Sequence, residues 1–313
     1  MDRFVSVDWG TSRLRVRLVE RAGGKILAST ESDLGVAVVA AAGPSAERAQ
    51  RFDAALEDAL AGLPSAEDPE IPVVISGMAS SSIGWCELPY ADTPFSLDGS
   101  GARARTLSAF RSGRPIHLLA GVRTETDVMR GEETEAMGLW HRWRAAGGGG
   151  NPMFVLPGTH SKHLSVADGA VESITTFMTG ELFAVAGRHT VLRHTVAPDA
   201  DHFDEAAFRR GVEKAQTLPL AAALFQTRSL SLLGQLPEGC GSSFLSGILI
   251  GHEMAALPVG RPIVLAGTAG LRRRYATALD SLGRTRATTV VPDGDSDCLA
   301  IRGQMVWLDR RGF

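Results

Sequence analysis

Cysteine is scarce in this chain. The three present, Cys86, Cys240 and Cys298, stand far apart with no C-x-x-C pair, which argues against a disulfide frame or a zinc site and fits a reducing cytoplasm. Long apolar runs are missing too: none reaches the roughly 18 residues of a membrane span, and the amino terminus enters a strand without a charged-then-apolar leader. Neither a membrane anchor nor export is expected. Positive charge is not in excess, with 32 Lys and Arg against 35 Asp and Glu and a formal net charge of -3. No basic field therefore exists to attract nucleic acid or an anionic membrane. Three familiar loops are absent as well. There is no G-x-x-x-x-G-K-[ST], no G-x-G-x-x-G behind a strand, and no G-x-S-x-G of a serine hydrolase.

What is present is a globular composition, 44% hydrophobic and 21% charged over 313 residues, enough for one large or two medium domains with real cores. Two is the expectation. Glycine is plentiful, 35 residues, and gathers in short motifs rather than in a repeat, so individual backbone bends carry information.

The chain is arranged around Phe4–Glu20. Phe4, Val5 and Val7 lead to Asp8 and Gly10-Thr11-Ser12, after which Leu14, Val16 and Leu18 alternate with Arg13, Arg15 and Arg17. That period of two predicts a β-hairpin with one buried face. Its turn offers a carboxylate, a close-approach glycine and two hydroxyls, a set suited to a magnesium-bound polyphosphate. The pattern recurs at Phe154–Val166: with Gly10-Thr11 aligned on Gly158-Thr159, Val16 and Leu18 fall on Leu164 and Val166. Asp8 has Leu156 as its counterpart, so the halves are alike in shape and unlike in charge.

Between the hairpins, a third strand is expected at Lys25–Thr30, an amphipathic helix at Ser45–Leu63, a buried strand at Pro72–Ser76 and another at Pro115–Ala120. Met78–Asp98 reads as a long covering loop containing Trp85 and Tyr90. Gly131 then introduces Glu132 and Glu133 at the start of a helix running to Arg144. The run Gly147–Gly150 with Asn151 marks the domain boundary, giving halves 1–146 and 147–313. Past the second hairpin, helices are expected at Met178–Leu192, Phe203–Phe225 with an interruption at Pro219, and Phe244–Leu257. The last of these carries Ser246, Gly247 and Gly251, small residues that permit close helix packing. Pro262–Ala266 is a buried strand turning through Gly267-Thr268-Ala269-Gly270 into a helix. A strand at Arg286–Val291 and a helix at Asp297–Leu308 close the chain.

The twin hairpins, the later strand-glycine-helix turn and the small-residue helix resemble the superfamily of actin, the sugar kinases and the heat-shock chaperones. That resemblance implies an α/β fold of two duplicated ribonuclease-H-like halves with a cleft between them. Five segments, VDWGTSRLR, SGMASSSIGWCELPY, GVRTETDVMRGEETEAMG, LPGTHSKH and TFMTGELF, are similar in order to the characteristic stretches of the 2-dehydro-3-deoxygalactonokinase family. The implied activity is ATP- and magnesium-dependent phosphorylation of the terminal hydroxyl of 2-dehydro-3-deoxy-D-galactonate to its 6-phosphate.

The resemblance also implies roles. Asp8 would hold Mg2+; Gly10, Thr11, Ser12 and Arg13, with Gly158, Thr159, His160 and Lys162, would bind ATP phosphates; Gly267, Thr268 and Gly270 would bind adenosine. Glu132 or Glu133 would be the base for the attacking hydroxyl, since the second hairpin lacks an acid. Arg123 and Arg130 would meet the substrate carboxylate, Trp85 would wall the sugar chain, and Glu181 would support catalysis or cap its helix. The choice between the two glutamates, the stereochemical preference and the oligomeric state, a homodimer being one option, stay open. Two rivals remain: an actin-like nucleotide-gated regulatory ATPase, and an exopolyphosphatase-type phosphohydrolase.

Overall fold

The computed structural model describes residues 2–64, 68, 70–109, 113–197, 202–296 and 298–313. The chain forms two units. The first comprises Met1–Gly149, Val166–Ile174 and Asp297–Phe313; the second comprises Gly150–Ser165 and Thr175–Ser296.

In the first unit, β1 (Arg3–Trp9), β2 (Leu14–Glu20) and β3 (Lys25–Ser32) are followed by α1 (Val36–Ala41) and α2 (Arg48–Ala61). Then come β4 (Val73–Gly77), the short strands β5 (Ala91–Asp92) and β6 (Phe95–Ser96), β7 (Ala104–Ser108), β8 (Pro115–Leu119), β9 (Val122–Arg123), β10 (Val128–Met129) and α3 (Glu132–Ala145). The main sheet has the order β3-β2-β1-β4-β8-β7. β1 to β3 are antiparallel neighbours, whereas β1, β4 and β8 run parallel. Burial follows this topology. β4 is buried along its whole length, while β2 buries Leu14, Val16 and Leu18 and turns its arginines outward. Phe52, Leu56 and Leu60 of α2 fill one side of this sheet with Trp9 and Trp85.

In the second unit, β11 (Met153–Leu156), β12 (Ser161–Ala167) and β13 (Ala170–Phe177), apart from the Val166–Ile174 stretch grouped with the first unit, precede α4 (Thr179–His189), α5 (Glu205–Thr217), α6 (Leu220–Leu232) and α7 (Gly241–Ala255). Next are β14 (Ile263–Leu265), α8 (Ala269–Ser281), β15 (Thr288–Val290) and the single turn α9 (Asp293–Ser296); the last helix, α10 (Leu299–Arg311), is grouped with the first unit. The strand order β13-β12-β11-β14-β15 repeats that of β3-β2-β1-β4-β8, with β11, β14 and β15 parallel and β12 antiparallel to β11. The repeated hairpin is thus the head of a repeated ribonuclease-H-like sheet.

The small residues of α7 pack as their spacing suggests. A Cβ on Gly247 would lie 2.1 Å from the Phe208 carbonyl oxygen, and one on Gly211 would lie 2.3 Å from that of Phe244. Pro219 falls just before α6 and separates it from α5, because a ring without an N–H starts a helix more readily than it continues one.

The units do not follow the chain in two successive halves. The first stretch of unit one ends at Gly149, within the expected glycine run, but α10 belongs with the first unit. There its Gly303 would meet the Thr134 carbonyl at 1.8 Å if it carried a Cβ, and Gly138 of α3 would meet the Leu299 carbonyl at 2.1 Å. Gln304 donates from its amide nitrogen to the Val7 carbonyl and the Ser76 hydroxyl. A boundary read from linker composition misses this return, since glycine-to-backbone contacts made at such chain separation leave no local signal. Asp297, the expected start of that helix, lies outside the described residues; α10 begins at Leu299.

Candidate functional site

Within the first unit, the turn after β1 is closed by the Gly10 N–H donating to the Arg13 carbonyl at 2.9 Å. The segment entering α1 docks on it: Val36 N–H donates to the Gly10 carbonyl and Ala37 N–H to that of Thr11. Gly35 is required there, since a Cβ would lie 2.2 Å from the Ser12 carbonyl carbon. Thr11 and Ser12 are exposed, and among the described residues their amides donate to no backbone or side-chain group. Arg13 turns away to Glu31 at 2.6 Å. Asp8 is about one-third exposed and accepts from Arg15 Nη1 at 3.1 Å, leaving carboxylate surface open.

Two glycine bends bring the acids of α3 to this corner. β4 ends at Gly77 with φ 97°, and Gly131 precedes α3 with φ 112°, angles that residues with a side chain rarely adopt. Glu133 is buried; its carboxyl accepts the Gly131 N–H at 2.7 Å and a hydrogen bond from the Thr134 hydroxyl. Burial, reinforced by the Glu132 charge, pushes it up to about 8. Glu135, whose surface is half-buried, is pushed up to about 8 as well, by loss of solvent around its carboxyl and then by the charges of Glu132, Asp8 and Glu133. The backbone brings these acids toward Asp8: β1 pairs Asp8 with Ser76 and Trp9 with Gly77, and a Cβ on Gly131 would lie 3.3 Å from the Gly77 Cα. Glu132 is half-buried and accepts from the Arg130 N–H at 3.0 Å. Crowded carboxylates of this kind raise one another's affinity for protons, and Glu135 was not singled out from sequence.

Two expected substrate contacts, Arg130 and Trp85, have other duties. Arg130 donates to the Ser80 carbonyl and hydroxyl, both at 2.6 Å, reaches the Leu88 carbonyl at 3.4 Å, and lies 4.2 Å over the Tyr90 ring. It pins the 78–98 loop instead of reaching into open space. Trp85 is 6% exposed, stacked on Phe52 at 6.2 Å and edge-on to Trp9 at 6.1 Å; it is part of the core, not a ligand wall. Arg123 is exposed and donates to Asp92 at 2.7 Å. A hollow of about 540 Å³ beside the same loop is lined by Leu88, Pro89, Ala120, Arg103 and Arg311, among others.

In the second unit, the Gly158–Ser161 turn exposes Thr159 and His160, whose amides donate to no group among the described residues. The Gly158 amide is engaged, donating to Ser161 Oγ at 3.3 Å. His160 pairs with Glu181 at 2.6 Å. Lys162 is buried on β12 opposite Leu156, so its contribution is the strand rather than a free cation at the turn.

Behind this turn lies a buried polar group that no sequence motif marked. Ser161 Oγ and the Tyr275 hydroxyl are 2.7 Å apart, Tyr275 donates to Glu253 at 2.7 Å, and the same carboxylate accepts from His163 Nε2 at 2.9 Å and from Thr179 Oγ1. The available signal was a lone acid in the apolar helix sequence of α7, LSGILIGHEM; a charge there must be paired.

A cavity of about 280 Å³ adjoins the turn. Gly158, Thr179, Tyr275, Leu249, Ile250 and Thr268 line it, together with Gly270, Ser242, Ser246 and Arg274. Two expected adenosine residues, Thr268 and Gly270, are therefore in its wall. Gly267, with φ 121°, precedes them and exchanges 2.7 Å hydrogen bonds with the Ser296 hydroxyl through both its N–H and its carbonyl. The apolar walls with a few polar groups suit a planar heterocycle on a polar chain.

Among the described residues no three His, Cys, Asp or Glu side chains are grouped to cage a metal ion. A single carboxylate such as Asp8 nevertheless fits magnesium, which keeps several waters and takes further ligands from phosphate. No helix of the described residues is long and apolar enough to cross a membrane.

Comparison with known proteins adds to this geometry. A family model described as 2-keto-3-deoxy-galactonokinase matches residues 8–300. A Rhizobium meliloti (strain 1021) protein named as a probable 2-dehydro-3-deoxygalactonokinase is 37% identical over 292 residues, covering 90% of each chain. The Escherichia coli (strain K12) 2-dehydro-3-deoxygalactonokinase is 30% identical over 290 residues, again covering 90% of each. A crystal structure from Sinorhizobium meliloti, described as that of a 2-dehydro-3-deoxygalactonokinase protein, superposes with a TM-score of 0.81 at 34% identity over 99% of both chains. The chain belongs to the 2-keto-3-deoxy-galactonokinase family.

Proposed function

We propose that the protein transfers the γ-phosphoryl group of ATP to the terminal hydroxyl of 2-dehydro-3-deoxy-D-galactonate, giving the 6-phosphate and ADP. Family membership supports the substrate. The observation that carries the site is the corner of the first unit where Asp8 on β1 pairs with Ser76 on β4 and Gly131, which opens α3 and its acids, packs against Gly77 at the end of β4.

In the reaction an O–P bond forms at the sugar hydroxyl, the bond from γ-phosphorus to the ADP oxygen breaks, and the hydroxyl proton passes to a base. Phosphoryl transfer depends mainly on positioning and charge placement. The Thr11 and Ser12 amides of the first unit's turn are phosphate donors in this reading, the Thr159 and His160 amides are donors of the same kind in the second unit's turn, and Asp8 would hold a magnesium ion, which would supply countercharge to the phosphates. We assign the base to Glu132, which is half-buried, while Glu133 is buried and occupied with the Gly131 turn. Arg123 is the exposed cation assigned to the substrate carboxylate; Arg130 shapes the loop beside it. The 280 Å³ cavity is assigned to the adenosine.

The test is ADP formation with Mg-ATP across a panel of keto-deoxy sugar acids and neutral sugars. Turnover that requires the keto-deoxy acid supports the proposal. Turnover with glycerol or glucose alone defeats the substrate assignment, and phosphate release from polyphosphate without any sugar would favour a phosphohydrolase.

A further inference from the structure

The Glu253 carboxylate is buried and receives three hydrogen bonds, from His163, Thr179 and Tyr275. An acceptor-only group at one end of a chain of hydroxyls fixes the direction of every bond in it. Tyr275 must donate to Glu253, so it can only accept from Ser161. Ser161, having given its proton to Tyr275, can only accept from the Gly158 N–H. Burial and the Glu253 charge also push the Tyr275 hydroxyl above its ordinary value, so it stays a donor.

Thr179, the third residue bonded to the carboxylate, begins α4 at the point where that helix packs on the turn. A Cβ on the neighbouring Gly180 would lie 2.7 Å from the Gly158 carbonyl and 2.8 Å from the Thr159 Cα, and the Glu181 N–H donates to the Thr159 carbonyl. The carboxylate therefore ties down the turn from one side and the helix that clamps it from the other. Gly158, Thr179 and Tyr275 are at the same time wall residues of the 280 Å³ cavity.

We infer that Glu253 is a positioning residue for nucleotide: through Tyr275 and Ser161 it sets the shape of the Gly158–His160 turn, and through Thr179 it sets the adjoining cavity wall. The inference rests on reading that cavity and turn as the nucleotide site. Glu253 touches no substrate; it acts only through the groups it orients.

The experiment measures binding of a non-hydrolysable ATP analogue with magnesium by calorimetry, and KM for ATP and for the sugar acid, in Tyr275→Phe, Ser161→Ala, the double variant and Glu253→Gln. Loss of one bond in the chain should weaken nucleotide binding by about tenfold and leave the KM for the sugar acid within about twofold. The double variant should be no worse than either single one, because both cut the same chain. Glu253→Gln, which replaces an acceptor with a part-donor at equal size, should reproduce the loss. Unchanged nucleotide affinity in folded Tyr275→Phe and Ser161→Ala, or losses that simply add, would overturn the inference. If the wild-type protein bound no nucleotide, the nucleotide reading of the site would fail and take the inference with it.

Discussion

Gly131 packs face to face with Gly77: a Cβ on Gly131 would lie 3.3 Å from the Gly77 Cα, and one on Gly77 would lie 2.7 Å from the Trp9 carbonyl. Three chain segments converge here, the ends of β1 and β4 and the start of α3, because two of them lack side chains. Alanine at either position should add strain of about 1–3 kcal/mol, with Gly77→Ala the worse because backbone must move. Urea denaturation checks the stability. Gly131→Ala should also lower kcat, since Glu132 follows it directly. Wild-type turnover in a destabilised Gly131→Ala protein would separate this bend from the chemistry.

The two candidate bases are distinguished by what they touch. Glu132→Gln removes the proton acceptor and should cost about 10²–10⁴-fold in kcat, the usual contribution of a general base. Glu133→Gln keeps an oxygen for the Gly131 N–H and should cost much less. The reverse order of kcat values would transfer the role of base to Glu133.

The same acids make stability depend on pH. Glu133 and Glu135 are raised from an ordinary value of 4.5 to about 8 in the folded protein. Between those values the folded state holds protons that the unfolded chain has released, so stability is fullest below about 4.5, falls as pH rises, and levels off above about 8. Glu133→Gln should flatten part of that slope. Denaturation midpoints taken from pH 5 to 9 test this, and an unchanged slope in the variant would mean that Glu133 does not titrate in that window.

How far these features could be read beforehand varies with the range of the contact involved. Asp8, Gly10 and Gly158 were legible because a hairpin writes its own period of two and its own turn within about twenty residues. Glu253 was not, because two of its partners, His163 and Thr179, stand 90 and 74 residues away and the third, Tyr275, lies on a different helix, and only a lone acid in an apolar helix hinted that it needed them. Trp85 was misread for a related reason. Its loop folds inward by local bonds, the Trp85 N–H donating to the Ala79 carbonyl at 2.7 Å, while composition alone makes an aromatic in a long loop look like a cover. The return of α10 to the first unit depends on Gly138 and Gly303, glycines of unremarkable context until their opposite backbones are known.

Helices α5 and α7 should be intolerant of small additions. Gly211 and Gly247 each face a carbonyl of the other helix at under 2.5 Å from a would-be Cβ, so even Gly247→Ala must force the helices apart. Overpacking of this kind typically costs about 1–3 kcal/mol, offset slightly by the better helix propensity of alanine. Thermal denaturation of Gly247→Ala and of Gly270→Ala, whose Cβ would meet nothing within 4 Å, gives the comparison. Equal melting temperatures would show that the interface yields more easily than its contacts imply.

Trp85 offers the sharpest contrast between a core role and a ligand role. Stacked on Phe52 and set against Trp9, it contributes apolar area to the first unit's core, and Trp85→Ala should destabilise the protein by about 3–5 kcal/mol, as large aromatic truncations do. Trp85→Phe keeps most of the stacking and should be stable enough to assay. Because the ring is covered by protein on all sides, that variant should show a KM for the sugar acid within about twofold of wild type, the size of change expected of a side chain that only packs. A rise of tenfold or more in that KM, with the melting temperature held, would mean that the loop opens to present Trp85 to the substrate.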